Sequence, residues 1–410
     1  MLLSGMKIVS FCHFLQGPAC TQYLADLGAD VIKIEPLKGP YERRWSGANV
    51  FVGGVSGLFL AANRNKRSLA LDLKSAAGKE IVLRLIDEAD VVVENFRSGV
   101  MEKLGLGYEE LRKRKNDIIF ASGTGWGPNG PMVGRTAQDL IVQARSGLIS
   151  ATGPYDRPTA IGNAVVDQHG GALLALGVAA AFVKKVKTGQ GTRIHGSLLN
   201  AGLDLQTEPL TNYMSRRPGR SVFDRHKNLV SWYQEAPYGV YAIKDKTVVI
   251  PTNEIAKLAE ALDSATLREL KERDPYHDRD ELAAAVAEAV EAWTYEALAA
   301  AFDAHDIWYG VVQDYEDVAN DPQIAANNVF RRVEVNGETA TLVNHPLRYD
   351  GQVPPLHTLS TAIGSHTVEI LGELGLDQGE IEKLIADGVA HAPSADGSGH
   401  GEAATKELLA

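Results

Sequence analysis

Residues 7–35, KIVSFCHFLQGPACTQYLADLGADVIKIE, hold the signal from which the fold is read. Lys7 to Phe11 is a short β-rich run, punctuated by Gly17-Pro18. Ala19 to Leu27 then reads as a helix stopped by Gly28, which takes a left-handed backbone without a Cβ clash. Val31 to Glu35 is the next strand. Strand, helix and strand within about 30 residues make a βαβ unit, hence a parallel sheet. The pattern repeats as strand 69–73, helix 75–88, strand 90–93, helix 100–114 and strand 117–121. An α/β domain resembling a nucleotide-binding sheet follows. No Gly-x-Gly-x-x-Gly follows the first strand, which disfavours NAD or FAD held by the usual loop.

Outward from this core, a helix is expected from about Asp167 to Lys187, then a strand over 192–196 and a helix over 197–213. Residues 1–213 are therefore assigned to a large domain. Segment 214–235, with Arg216, Arg217, Arg220, Arg225 and Lys227 and little periodicity, reads as a crossover. A hairpin (238–241 with 247–250) and alanine-rich helices form a small domain over 236–308. Between 254 and 306 there are 14 acidic and 5 basic residues, an exposed helical surface. Strand signals at 311–312, 332–335 and 340–343 suggest that 309–387 returns to the large domain. Residues 388–410, small and polar, read as a disordered tail.

The chain has 410 residues, 41 basic and 52 acidic side chains, and a formal net charge of −11. That balance argues against nucleic acid and anionic membranes as partners. Two cysteines, Cys12 and Cys20, make neither a disulfide framework nor a zinc site and suit a reducing cytosol. No segment is read as approaching the roughly 18 apolar residues of a membrane helix, and the N-terminus is not read as a secretory signal. A cytoplasmic enzyme is the expectation.

Three features point to chemistry. Lys33, Lys38, Arg43, Arg44, Arg64, Lys66 and Arg67 face only Glu35 and Glu42 within one stretch. They read either as a seat for an anionic ligand at the strand ends or as solvated ion pairs with the acidic domain. Asp90 to Gly99, DVVVENFRSG, empties a strand into Asn95, Phe96 and Arg97 before a helix. This suits a phosphate or an adenine edge, or else an ordinary turn with Asn95 satisfying backbone groups. Asp167 stands before Gly170-Gly171 and a long apolar run. Taken alone it reads as an N-cap; the functional reading is a carboxylate nucleophile, kept ionised by neighbouring N–H groups, with the glycines admitting backbone or substrate. His169 beside it does not share its helical face.

With these residues in view the chain resembles a class III CoA-transferase, the family of formyl-CoA transferase, carnitine CoA-transferase and α-methylacyl-CoA racemase. The resemblance runs over roughly residues 5–387. It rests on Gly17 to Gln22, Leu27 to Glu35, Asn63 to Ser68, Glu94 to Phe96, Gly125 to Pro131, Asp167, Thr188 to Gly191, Asp321 to Gln323 and Gly364 to Thr367. It implies an interlocked homodimer, each subunit with a Rossmann-like large domain built from both chain ends and a smaller α+β domain. It implies that Asp167 attacks an acyl-CoA thioester, giving an aspartyl–acyl anhydride and then an aspartyl-CoA thioester from which a carboxylic acid takes CoA. CoA is then a substrate, and no permanent cofactor or metal is implied. By the same resemblance Leu15, Gln16, Asn95 and Phe96 line the CoA site, Lys103 stands for a CoA-contacting Arg, and Leu71, Leu73 and Val100 contact adenine or pantetheine. Departures are also visible. Formyl-CoA transferase has a glutamine one place before Gln16, an aromatic at Leu58 and a glycine-rich lid missing between Arg220 and Pro237, which argues against formate/oxalate exchange, although its Trp is matched by Trp45. The alternative, a racemase exchanging α-protons, needs a His where Ala137-Gln138-Asp139 has none. Trp126, Trp45, Tyr238 and Tyr309 are candidate acyl-pocket walls, and Arg43 or Arg217 a candidate clamp for a second carboxylate.

Overall fold

The computed structural model describes residues 1–393. Its strands are β1 (Lys7–Phe11), β2 (Asp30–Glu35), β3 (Phe51–Val52), β4 (Val55–Ser56), β5 (Lys66–Leu71), β6 (Val91–Glu94) and β7 (Ile119–Thr124). Then follow β8 (Thr192–Ser197), β9 (Gly239–Ala242), β10 (Thr247–Ile250), β11 (Gly310–Val311), β12 (Phe330–Val335), β13 (Glu338–Val343) and β14 (Ala390–His391). Seven of them form one sheet in the order β14-β5-β2-β1-β6-β7-β8. Every pair is parallel except β14 on β5. The fold is thus mixed α/β with a large, mostly parallel sheet.

Alternation along the strands buries both faces, as a parallel sheet requires. Val9, Phe11, Ile32, Ile34, Leu69, Leu71, Val92 and Phe120 pack with the helices Ala76–Glu88 and Thr367–Glu373. Ile8, Val31, Val91, Val93, Ile119 and Ala121 pack on the other side with the first helix, Gln16–Asp26, and the long helix, Val165–Thr188.

Two compact units emerge. The first comprises Met1–Asp139, Val165–Ala201 and the chain from Asn327; the second comprises Leu140–Ala164 and Gly202–Ala326. Both chain ends therefore contribute to the sheet unit. The division differs from the expected boundaries: 140–164 and 202–213 belong with the second unit, whose chain runs on past 308 to Ala326. The reason at the far end is pairing. β11 joins β10 and β9 in a three-stranded antiparallel sheet, so the strand at 310–311 stays in the second unit. The first unit is rejoined by the hairpin of β12 and β13, whose turn residues Asn336 and Gly337 both take positive φ.

Other expectations need correction. The helix expected over 100–114 is two, Val100–Lys103 and Tyr108–Arg114, because Gly105 leaves the helical region at φ +67°. The helix expected over 197–213 is likewise split, into Leu198–Asp204 and Thr207–Arg216. The reading of 388–410 as a tail fails at its start, where β14 completes the sheet; the rest lies outside the described residues. The long helix does reach the length and apolar composition of a membrane span, with a window of mean hydropathy 1.4. One of its faces, Val166, Gly170, Gly171, Leu174, Ala175, Val178 and Ala181, is buried within the sheet unit.

Candidate active site

A parallel sheet offers ligands the carboxyl ends of its strands where strand order reverses. Here that point lies between β1 and β6, with β2 and β5 on one side and β7 and β8 on the other. The register pairs Phe11 with Glu94, so the loops that follow leave side by side. Asn95 joins them. Its Oδ1 accepts from the His13 N–H and its Nδ2 donates to the His13 carbonyl, both at 2.9 Å. The Phe96 ring stacks on His13, with centroids 5.4 Å apart. Glu94 shapes the same turn by accepting from the Phe96 N–H at 2.9 Å. Burial pushes the Glu94 carboxyl up to about 7, against the opposing hydrogen bonds from Ser122 and Phe96.

Gln16, the first residue of the first helix, carries the site toward the long helix. Its buried amide fills space that two glycines leave open. A Cβ on Gly123 would stand 2.8 Å from Gln16 Oε1, and one on Gly170 would stand 2.9 Å from Nε2. At Gly171 the fit is backbone to backbone, since a Cβ there would lie 2.7 Å from the Gln16 carbonyl oxygen and 3.2 Å from the Cys20 nitrogen. The approach that Gly170-Gly171 admits is thus that of the first helix.

Asp167 lies in the first turn of the long helix, one turn before Gly170 and Gly171. It does not cap that helix. Asp139, from a segment 28 residues earlier, does so: its Oδ2 accepts from the N–H groups of Val166 at 2.8 Å and of Asp167 at 3.0 Å. The expectation that N–H groups keep Asp167 ionised is therefore corrected. Burial first, and then the negative charge of Asp139, push its carboxyl up to about 7. A carboxylate of that basicity is a stronger nucleophile or base than an ordinary aspartate, and is half ionised near neutral pH. The neighbouring Gln168 donates to the Tyr23 hydroxyl at 2.6 Å, a second tie between the two helices.

Gln16 packs on Gly170, one turn past Asp167, while Asn95 and Phe96 sit on His13, three residues before Gln16; half-buried Leu15 precedes the first helix. Leu73 and Val100 are also half-buried, and Lys103 is exposed at the end of its short helix. Leu71 is corrected: it is 1% exposed with its side chain in the core, so it offers no ligand face. Asn95 spends its side chain on His13, and Arg97 is exposed before a four-residue helix that starts only at Val100. The basic stretch resolves mostly into pairing within the sheet unit. Arg43 pairs with Glu35, Arg64 with Asp26, Arg67 with Asp30, Glu369 and Glu373, and Lys33 with Glu42. Buried Lys66 donates to the carbonyls of Pro18 and Ala62 and to Asn63. Only Lys38 and Arg44 of that group remain exposed. Trp126 is buried and donates to the Thr136 carbonyl, and the Tyr309 hydroxyl donates to Asp303. Arg217 is exposed, whereas Arg225 of the same segment is buried among backbone carbonyls. Two clefts lie elsewhere: one of 490 Å³ in the second unit beside Trp308, and one of 340 Å³ beside Lys7 and Arg67.

Sequence reasoning missed His13, Glu94 and the roles of Asp139. His13 was findable, since it sits two residues past β1 as Phe96 sits two past β6. Asp139 carried no signal, because its partners lie across the 140–164 excursion.

The family model described as CoA-transferase family III matches residues 3–367. The succinyl-CoA:glutarate CoA-transferase of Mus musculus is 33% identical over 94% of this chain and 90% of its own. The (R)-2-hydroxy-4-methylpentanoate CoA-transferase of Clostridioides difficile is 29% identical over 94% and 98%. Among solved structures, a CAIB/BAIF family protein from Brucella suis superposes with a TM-score of 0.77 at 29% identity, covering 91% of this chain and 99% of that one.

Proposed function

The chain belongs to CoA-transferase family III, an enzyme family that moves CoA from an acyl-CoA to a carboxylic acid, and from that premise we propose that Asp167 is the covalent nucleophile. The observation that carries this reading is a carboxylate at the start of the long helix, raised to about 7 and one turn from the glycines that pack on Gln16. The ionised Asp167 attacks the thioester carbonyl and expels CoA thiolate, leaving an aspartyl–acyl anhydride. The thiolate attacks the aspartyl carbonyl of that anhydride, releasing the donor acid and forming an aspartyl-CoA thioester. The acceptor carboxylate then attacks this thioester, giving a second anhydride and thiolate. Attack of the thiolate on the acceptor's acyl carbon yields the new acyl-CoA and restores Asp167. The thioester's activation is conserved because water is excluded at each step. In this reading Gln16, Leu15, Asn95 and Phe96 form the CoA side of the site, with Leu73, Val100 and Lys103 at its edge.

The same reading makes the working unit an interlocked homodimer in a reducing cytosol. Exposed apolar residues Leu173, Leu176, Val183 and Val186 on the long helix support a protein partner, and two buried free cysteines suit such a compartment. Sedimentation of the purified chain reads the oligomeric state directly.

The test is intact-protein mass spectrometry of wild type and Asp167→Asn after brief exposure to a panel of acyl-CoAs, with hydroxylamine trapping. A CoA-sized adduct or a hydroxamate at Asp167, absent from the variant, is the expected result. A carboxyl near 7 also suits the racemase alternative. α-Proton exchange in D₂O without any adduct would replace transfer by that chemistry.

A further inference from the structure

Glu94 ends β6 in one row with Ser122 of β7 and His195 of β8, because the register pairs Glu94 with Ser122 and Ser122 with His195. Alternation puts them on one face of the sheet. Glu94 and Ser122 follow Val92 and Phe120 by two residues, and both of those enter the same core. His195 follows by two residues Arg193, whose guanidinium lies 4.9 Å from the centre of the Tyr108 ring, itself packed on Phe120. Glu94 is 6% exposed and Ser122 5%, whereas His195 is exposed. The charges acting on Glu94 from the elements around it oppose each other: Glu102 of the short helix disfavours its ionised form and Arg193 favours it. Arg193 pairs instead with Glu109, at 3.6 Å.

What this carboxyl holds is the turn between β6 and the next helix. Its Oε2 accepts from the Phe96 N–H at 2.9 Å, and Ser122 donates to the same group. Asn95 in turn grips His13 at both its N–H and its carbonyl, and the Phe96 ring stacks on the His13 ring. The two loops leaving the switch point are thus fastened to each other by Asn95 and to the sheet by Glu94. A glutamine at 94 would serve the same N–H and the same hydroxyl with no charge to bury. The chain keeps a carboxyl there although burial raises it to about 7, so the charge itself has a use. A hydrogen bond to an ionised acceptor is roughly twice as strong as one to a neutral acceptor. Protonation also turns one of the two carboxyl oxygens from an acceptor into a donor. The turn is therefore firmer with Glu94 ionised than with Glu94 protonated.

We propose that Glu94 is a positioning residue for CoA: its ionised carboxylate fixes the Asn95-Phe96 turn in the shape that receives the thioester, so the hold on CoA strengthens as Glu94 loses its proton. The gain comes from preorganisation, because a turn already fixed has less freedom to lose on binding. The proposal rests on the reading that places Asn95 and Phe96 on the CoA side of the site, and it gives a role to a residue that reading leaves without one.

Asp167 titrates in the same range, so the test uses Asp167→Asn as the parent, with Glu94→Gln or Phe96→Ala added to it. Calorimetric titration gives the Kd for free CoA between about pH 5.5 and about pH 8.5. The phosphates of CoA titrate alike with every variant and cancel when constants are divided. The expected ratio of the Glu94→Gln Kd to the parent Kd is near one at the acid end, where both side chains are neutral. It rises through about 7 to at least threefold at the alkaline end. A purely structural Glu94 would give a ratio independent of pH. A flat or falling ratio, with Phe96→Ala weakening CoA binding at every pH, overturns the proposal and leaves the CoA side where it was placed. Unchanged CoA affinity in Phe96→Ala, or a parent that binds no CoA, overturns that placement and the proposal with it.

Discussion

In an Asp139→Asn enzyme the side-chain oxygen still accepts from the N–H groups of Val166 and Asp167, so the cap persists while the charge is lost. Asp167 stands at about 7 against an ordinary 3.8, with burial the larger cause and Asp139 the second. The whole displacement corresponds to roughly 4 kcal/mol of preference for the neutral form. Asp139 supplies the lesser part, in the same direction as burial. The pH profile of kcat/KM should rise through about 7 in wild type, as the nucleophilic carboxylate forms, and at lower pH in Asp139→Asn. Above both limbs the variant should be slower, by about threefold for each pH unit the limb moves, for a Brønsted slope of about 0.4–0.5 of the size known for thiolate nucleophiles. Asp139→Ala serves as the contrast, because it loses the cap and about 1 kcal/mol of stability as well. A limb that stays at 7 in Asp139→Asn would refute the like-charge account. A limb that moves with an unchanged plateau would refute the link between basicity and rate.

Gly171→Ala forces a Cβ to within 2.7 Å of the Gln16 carbonyl oxygen, so the two helices must separate. Denaturant titration should show a loss of about 1–3 kcal/mol, and unchanged stability would contradict the close approach. Glu94 has a folded pKa of about 7 against 4.5 when exposed, so it holds its proton more tightly in the folded chain. Its contribution to stability therefore declines as pH rises from about 4.5 to about 7 and is level above. Stability of Glu94→Gln relative to wild type should grow across that window by up to about 3 kcal/mol; a constant difference would sink this reading.

How much of this was legible beforehand depends on sequence distance. The strand–helix–strand rhythm of residues 7–35 is local, and observed strands 7–11 and 30–35 lie within a residue of the reading. β5 begins at Lys66 rather than 69 because Lys66 and Arg67, polar in the sequence, find carbonyl and carboxylate partners that let them enter the sheet. Those partners include Glu369 and Glu373, some 300 residues away, so the basic stretch by itself leaves a ligand seat and ion pairing both open. The strand at 310–311 was visible, but its allegiance was not, since two residues carry no pattern to choose a sheet. Asp167 was found through resemblance; what sets its basicity was hidden because Asp139 reaches it only through tertiary packing.

β14 adds a constraint on how the chain comes into being. Its residues, Ala390 and His391, pair with Leu71 and Ala70 of β5, so one edge of the sheet is filled by residues made about 320 positions later. At ribosomal speeds of about 5–20 residues per second, β5 waits roughly 15–65 s for that neighbour. During that interval the growing polypeptide carries an unpaired strand edge, the kind of surface to which chaperones bind and through which nascent chains aggregate. Removing the chain from residue 388 onward would make that transient exposure permanent, so β14 serves the protein's yield as well as its architecture.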